Sequence, residues 1–437
     1  MPSRLAAMES ESSELTGNSI QSSKDPIYDY LVWAVIALSP FQDTALQNTF
    51  LRLPAASLSF LPLMALFLLT ATRRLLRGSF TVNRTLLLMG AYAVIVCAAN
   101  LVWITRENEV EIHLESVFAR FLLSSLVLFI VLGVNYRVNR GLRIAVYLGF
   151  FFTIVGIVCG QVLGANAISF LQATPNLSDR PSGFSTEAST LSVQVVCSGI
   201  LTAHCLKTKW MKWAAGVMTC VLLLYSSSKG GLIALLLCVL VLAIARTRTS
   251  MVAKIGAAAV LLPAVYFGSL LIFSSFSTLV QFNQTTTIAT RFSMAVYAVI
   301  TVAHNPCGVG FTGFLPSITR YLPSAMSFVE RLFPFPLAFV EVRGYLYPPQ
   351  QDADCKTLFF DYLACFGLPF AILFIMSVRR LLRLLFKHEL RWLFVGVLFS
   401  VTAATTYYST VNAWTLPLLF GISLHEIKRA ENTLRLH

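Results

Sequence analysis

Charge is what this sequence has least of. Aspartate, glutamate, lysine and arginine supply 12% of its 437 residues, against about 25% in an ordinary soluble domain. A chain with so little polar surface cannot cover a water-facing core of this size, which excludes a soluble globular protein. Paired cysteines are also missing. Of nine cysteines, Cys97, Cys159, Cys197, Cys205, Cys220, Cys238 and Cys365 lie in apolar stretches, where cysteine behaves as a small hydrophobe. None has redox or zinc spacing. Cys307 and Cys355 fall in a long loop, where an oxidising compartment would allow a bridge. No His/Asp/Glu set has metal spacing, no G-x-S-x-G elbow occurs, and no P-loop precedes a helix. The sequence therefore predicts no metal, no cofactor and no coupling to a nucleotide. The formal charge of +13 does not indicate nucleic acid, because the basic residues are scattered between apolar runs. An apolar h-region is absent from residues 1–28, so they are expected to be a disordered cytoplasmic tail and not a signal peptide.

What is present is hydrophobic sequence in blocks. Apolar residues make up 56% of the chain and the mean hydropathy is +0.72. A membrane helix needs about 20 mainly apolar residues. The blocks predict spans near 28–42, 53–72, 85–105, 116–134, 144–165, 187–206, 211–226, 230–246, 255–277, 357–377, 392–410 and 412–425. The expected fold is an all-α polytopic bundle of about 12 transmembrane helices. Residues 29–277 would carry the first nine and 357–437 the last three with a cytoplasmic C-terminus. Residues 278–356 would form one large periplasmic loop containing short helices. Within it, 287–303 reads as an amphipathic helix, with further short helices near 314–322 and 324–333.

Orientation follows from the loops. RRLLRG (73–78), RVNRGLR (137–143), KTKWMK (207–212), RTRTSMVAK (246–254) and VRRLLRLLFKHELR (378–391) form one basic set, and both termini belong with it. The positive-inside rule makes that set cytoplasmic. Arg52, Arg106, Arg120, Arg180, Lys229, Arg291, Arg320, Arg331, Arg343 and Lys356 stand outside it. Positive charge on the far side works against insertion, so each is a candidate for a task.

Several of these charges sit beside other polar signals. DRPSGFSTEAST (179–190) runs directly into a span, with Glu187, Thr190, Gln194 and Ser198 on one helical face. Such a stripe either lines a water-filled cavity or glues helices together. Glu187 near Arg180 is either a functional carboxylate or half of an ion pair. SSSKGG (226–231) opens a helix whose free N–H groups, with Lys229, suit an anion; an ordinary helix start with a snorkelling lysine is the alternative. Arg291 and Arg343 suit a phosphate because guanidinium binds it bidentately. Pairing with Glu330, Glu341, Asp352 or Asp354 is the competing role. His304 reads as a structural loop histidine.

Taken in order, these segments resemble the O-antigen polymerase and O-antigen ligase superfamily of bacterial membrane glycosyltransferases. The resemblance runs from about 180 to 370. It consists of R-P-S-G-F-S-T-E before a span, S-S-S-K-G-G-L-I-A-L, a loop Arg leading to H-N-P-C-G-V-G-F-T-G-F, and K-T-L-F-F-D-Y-L-A-C-F-G-L-P-F. Residues 1–170 match in hydropathy only. The resemblance implies an enzyme acting on undecaprenyl-diphosphate-linked glycan at the periplasmic face, with a flippase and a chain-length regulator as partners alongside membrane lipid. It implies that Arg180, Arg291, Lys229, Arg343 and Lys356 bind the diphosphate. Lys229 stands where the family usually has Arg. Ligases carry a His-Asn pair about eleven residues before the Gly that matches Gly367, and this chain has Lys356 and Thr357 there. That departure favours a polymerase over a ligase that transfers polymer to lipid A core, and it leaves Glu187 as the expected catalytic base. A membrane transporter is the expectation from a different class.

Overall fold

The spacing of caps and apolar residues dictates where the helices begin. Asp25 Oδ1 accepts from the backbone N–H of Ile27 and Tyr28, and Pro26 takes the first helical position, the arrangement that best satisfies a helix start. The computed structural model describes residues 25–42, 57–76, 84–104, 110–162, 183–185, 188–226, 228–246, 278–333, 336–346, 354–408 and 414–435. Its helices are α1 (Pro26–Leu38), α2 (Phe60–Leu76), α3 (Arg84–Ala99), α4 (Val110–Leu128), α5 (Arg140–Val162), α6 (Ala188–Cys205), α7 (Lys209–Tyr225), α8 (Lys229–Arg246), α9 (Thr278–His304), α10 (Gly310–Leu332), α11 (Val340–Gly344), α12 (Leu358–Lys387), α13 (Arg391–Thr406) and α14 (Thr415–Arg435). Short turns at Leu101–Ile104 and Phe129–Gly133 extend α3 and α4. No strand occurs among the described residues.

The all-α expectation therefore holds, and eleven of the predicted spans fall on described helices; the twelfth, 255–277, lies outside the described residues. Four segments are long and apolar enough to cross a membrane: Leu114–Gly133, Arg140–Gly160, Thr286–His304 and Leu358–Lys387. Pro26–Leu38, Leu88–Ala99, Ser189–Cys205 and Arg391–Thr406 are shorter apolar helices. Among the described residues, helix length and composition thus mark four candidate crossings, which leaves the expected count of about 12 unshown. Large apolar side chains such as Leu76, Phe118, Trp210, Val217, Ile372 and Met376 stand exposed on the outside, as lipid-facing residues do.

Helix α6 is the central post, packed by α5, α7, α8, α13 and α14. Its residues from Thr190 to Ala203 are all buried. Two of its polar side chains, Gln194 and Ser198, find partners there. Ser185 Oγ donates to Gln194 Oε1 at 2.6 Å, with Gln42 Oε1 at 3.3 Å, and Gln194 Nε2 donates to Thr153 at 3.2 Å. Ser198 bonds back to the Gln194 carbonyl at 2.6 Å. Gln194 thus ties α6 to α5 and, through Ser185, to the segment after α1, the gluing role of polar residues between apolar helices, while Ser198 bonds within its own helix.

A second cluster is built on α9, α10 and the first turns of α12. Helix α10 corrects the expectation of two short helices at 314–322 and 324–333, since it runs unbroken through Pro316 and Pro323. Its apolar stripe, Phe314, Leu315, Ile318, Leu322, Ala325 and Val329, is continuous across both prolines and buried. Packing of that stripe offsets the backbone bond each proline removes.

Helix α12 is interrupted at Gly367, whose φ of 62° and ψ of −153° no other residue adopts readily. The turn between α9 and α10 closes on the break. Leu368 N donates to Pro306 O at 2.9 Å and Val309 N to Ala364 O at 3.1 Å. Tyr92 of α3 sends its hydroxyl toward both Cys307 O, 2.7 Å, and Phe366 O, 3.0 Å. A Cβ on Gly367 would lie 2.0 Å from Pro306 O. Non-helical backbone inside a membrane bundle must find such partners within the protein. The two glycine-containing motifs at 304–314 and 356–370 therefore form one interlocked joint.

Candidate functional site

One end of the bundle gathers the starts of α6, α8 and α12 with the end of α13. Tyr407, just past α13, is the meeting point. Ser192 Oγ of α6 lies 3.4 Å from its hydroxyl. Gly230 and Gly231 bring the first turn of α8 against the same place: a Cβ on Gly231 would come within 2.7 Å of Ser192, and one on Gly230 within 3.8 Å of the Tyr407 ring. SSSKGG thus serves close approach, and the first turn of α8, whose N–H groups have no partner within the helix, lies beside α6. The guanidinium of Arg291, on α9, stands 6.0 Å from the Tyr407 ring centre, and Nη1 donates to Thr406 O at 3.5 Å. The structure so brings Arg291 and the head of α8, where Lys229 begins the helix, to one tyrosine. The Lys229 side chain is not among the described residues.

Thr290, next to Arg291, connects this point to a polar cluster. Its hydroxyl lies 3.0 Å from Glu341 Oε2 of α11. Glu341 Oε1 accepts from the Tyr345 hydroxyl at 2.9 Å and pairs with Lys356 Nζ at 3.2 Å. Lys356 also faces Asp354 at 3.7 Å and stands 5.5 Å from the Tyr345 ring centre. Burial would raise the Glu341 pKa, but the Lys356 charge and the Tyr345 and Thr290 hydroxyls outweigh it and hold the carboxyl below its ordinary value. Burial works against the Lys356 charge, and Asp354, Tyr345 and Glu341 reverse that and push its pKa up. Lys356 is thus a cation already facing two carboxylates, the kind of pairing that the sequence set against a phosphate role for Arg291 and Arg343.

The loop carrying Lys356 is anchored from below. Cys355 N donates to Asp361 Oδ1 at 2.9 Å, and Asp361 in turn lies 4.0 Å from Arg120 of α4. Arg120 stacks over Phe314, 4.1 Å from its ring centre. Both charges are buried, with side chains 17% and 5% exposed. Leu358 N donates to Tyr408 O at 2.7 Å, which joins the head of α12 to the segment holding Tyr407.

Arg343 is placed elsewhere. It lies two residues after Glu341, and side chains at that spacing do not share a helix face. It lines a surface cavity of about 400 Å³ with Met326, Ser327, Glu330 and Phe339. Arg180 and Glu187 lie outside the described residues, but the turn between them does not. Gly183, Phe184 and Ser185 are buried, and Gln42 N donates to Phe184 O at 3.0 Å. His304 stacks on Tyr321, 5.0 Å between ring centres, and thirteen residues of helix put it about 20 Å along α9 from Arg291. Cys307 is exposed, Cys355 is buried, and both are free thiols. Among the described residues no group of three or more His, Cys, Asp or Glu could hold a metal.

Sequence reasoning did not single out Tyr407 or give Glu341 a role of its own. Tyr407 carries no local signal, since an aromatic at the end of an apolar run is ordinary. Arg120 and Asp361 did carry one, as lone charges of opposite sign within apolar runs. No family model matches this chain. The chain is similar to an uncharacterized 49.5 kDa protein in the cps region of Klebsiella pneumoniae, 27% identical over 258 residues. The match spans 59% of this chain and 59% of that protein's length.

Proposed function

We propose that this protein is a membrane glycosyltransferase that polymerises undecaprenyl-diphosphate-linked oligosaccharide repeat units at the periplasmic face. The observation that carries the proposal is the convergence on Tyr407 of Arg291, the head of α8 and the first turns of α6. Transfer from a lipid diphosphate needs cations where the leaving charge develops, a term of large electrostatic weight. Arg291 and the α8 N-terminus supply positive potential at one point, and Arg180 and Lys229 belong to the segments that lead into it. The relative in a capsule (cps) region supports work on polysaccharide. A carboxylate takes the acceptor proton in this reading, and Glu187 is the one that the sequence nominates.

The test is the surface polysaccharide ladder of a strain lacking the gene, complemented with wild type, Arg180→Ala, Glu187→Ala or Arg291→Ala at matched protein levels. A polymerase predicts glycan that stops at one repeat unit in the deletion strain and stays there with the variants. Loss of all attached glycan, with lipid-linked polymer accumulating, would instead mean a ligase. An unchanged ladder would remove the proposal and bring the transporter forward.

A further inference from the structure

The Glu341 carboxylate has one oxygen that its neighbours do not fill. Oε1 takes two donors, the Tyr345 hydroxyl at 2.9 Å and Lys356 Nζ at 3.2 Å, which uses both of its lone pairs. Among the described residues, Oε2 has only Thr290 at 3.0 Å. That hydroxyl owns a single proton and has a second acceptor, the Thr286 carbonyl, at 2.9 Å. An incoming hydroxyl can therefore bond to Oε2 while Thr290 turns back to Thr286, and no buried group loses a partner. The Glu341 side chain as a whole is 40% exposed, so solvent reaches this carboxylate. The residue that it bonds on α9, Thr290, directly precedes Arg291 in the same helical turn.

We infer that Glu341 is the group that binds the acceptor sugar hydroxyl and takes its proton. The inference rests on the glycosyltransferase reading above. In the step, the acceptor oxygen attacks the anomeric carbon of the lipid-linked donor and forms the new glycosidic bond. The bond from that carbon to the diphosphate oxygen breaks, and its electron pair leaves with undecaprenyl diphosphate. The hydroxyl proton passes to Glu341 Oε2. Tyr345 and Lys356 on Oε1 are positioning residues that fix the plane of the carboxylate and keep it ionised. The groups facing Glu341 among the described residues are Thr290 from α9 and Tyr345 and Lys356 from the chain after α11. Asp354 reaches it through Lys356, and Arg343 on α11 itself points away.

The experiment is steady-state kinetics of the full-length protein in proteoliposomes. The probe is the lipid-linked repeat unit that accumulates in the deletion strain. Glu341→Gln, which keeps the size and an acceptor oxygen, is expected to lower kcat by about 100-fold or more with KM nearly unchanged. Lys356→Met removes the nearest positive charge, so the acid limb of kcat/KM against pH is expected to move to higher pH, by roughly one unit. Lys356→Arg keeps the charge and is expected to leave the limb in place. Should Glu341→Gln fail to fold, the Lys356 pair alone decides. A Glu341→Gln protein with wild-type kcat, or an acid limb that Lys356→Met leaves in place, overturns the inference. So does an acid limb that disappears in Glu187→Gln and persists in Glu341→Gln. A wild-type protein that joins no repeat units removes the reading on which the inference rests, whereas an active wild type with an unaffected Glu341→Gln sinks the inference alone.

Discussion

At the scale of residues, the account turns on positions where one atom decides. Gly367 is the sharpest. Its backbone lies in a region that costs a side chain roughly 1–3 kcal/mol, and a Cβ there would stand 2.0 Å from Pro306 O. Gly367→Ala is therefore expected to lower the thermal midpoint of the detergent-solubilised protein and its abundance in membranes. An unchanged midpoint would show that the joint between the α9–α10 turn and α12 is not built as described. The sequence made the glycines of H-N-P-C-G-V-G-F-T-G-F visible as helix breakers, but not what they approach. Gly308 meets the Cys365 carbonyl and Gly310 the backbone of Cys97 on α3, both far away in sequence, and no local pattern reports on them. Lys356 and Glu341 show the same limit. Each was visible as a charge on the poorly basic side, while their pairing depends on a loop that returns to α11.

At the scale of elements, the helices were legible because apolar blocks of membrane-helix length are separated by short basic loops. What was not legible was continuity. Pro323 suggested a break in α10, and the buried stripe from Phe314 to Val329 carried the helix through it. The buried pair between α4 and α12 is an element-scale device as well. Asp361 holds Cys355 N, and with it the loop bearing Lys356, while Arg120 lies 4.0 Å from Asp361. Removing one charge of a buried pair strands the other, at a cost of about 3–5 kcal/mol. Arg120→Met alone is expected to destabilise by that order in a denaturant titration of solubilised protein, and Arg120→Met with Asp361→Leu by clearly less. Equal losses in the two would mean that Arg120 acts through Phe314 packing and not through its charge.

For the whole molecule, the arrangement has polarity. The heads of α6, α8 and α12 and the end of α13 meet at Tyr407. The basic segments 207–212 and 378–391 fall at the opposite ends of these helices, just past α6 and from the last turns of α12 to the start of α13. The cations left unexplained by topology divide accordingly. Arg291 and the head of α8 face one point, Lys356 is held by carboxylates beside it, and Arg343 lines a separate cavity. Seven of the ten cations outside the basic set fall between Arg180 and Lys356 in the sequence. The sequence could not sort clamp from counter-ion, because that sorting is done by contacts between helices far apart in sequence.

The most direct test of the central claim is product analysis with the purified full-length protein in proteoliposomes supplied with lipid-linked repeat unit. The account predicts lipid-linked chains of increasing length, one undecaprenyl diphosphate released for each new linkage, and loss of both in Arg291→Ala. Substrate that crosses the bilayer unchanged in length, with no undecaprenyl diphosphate released, would contradict it.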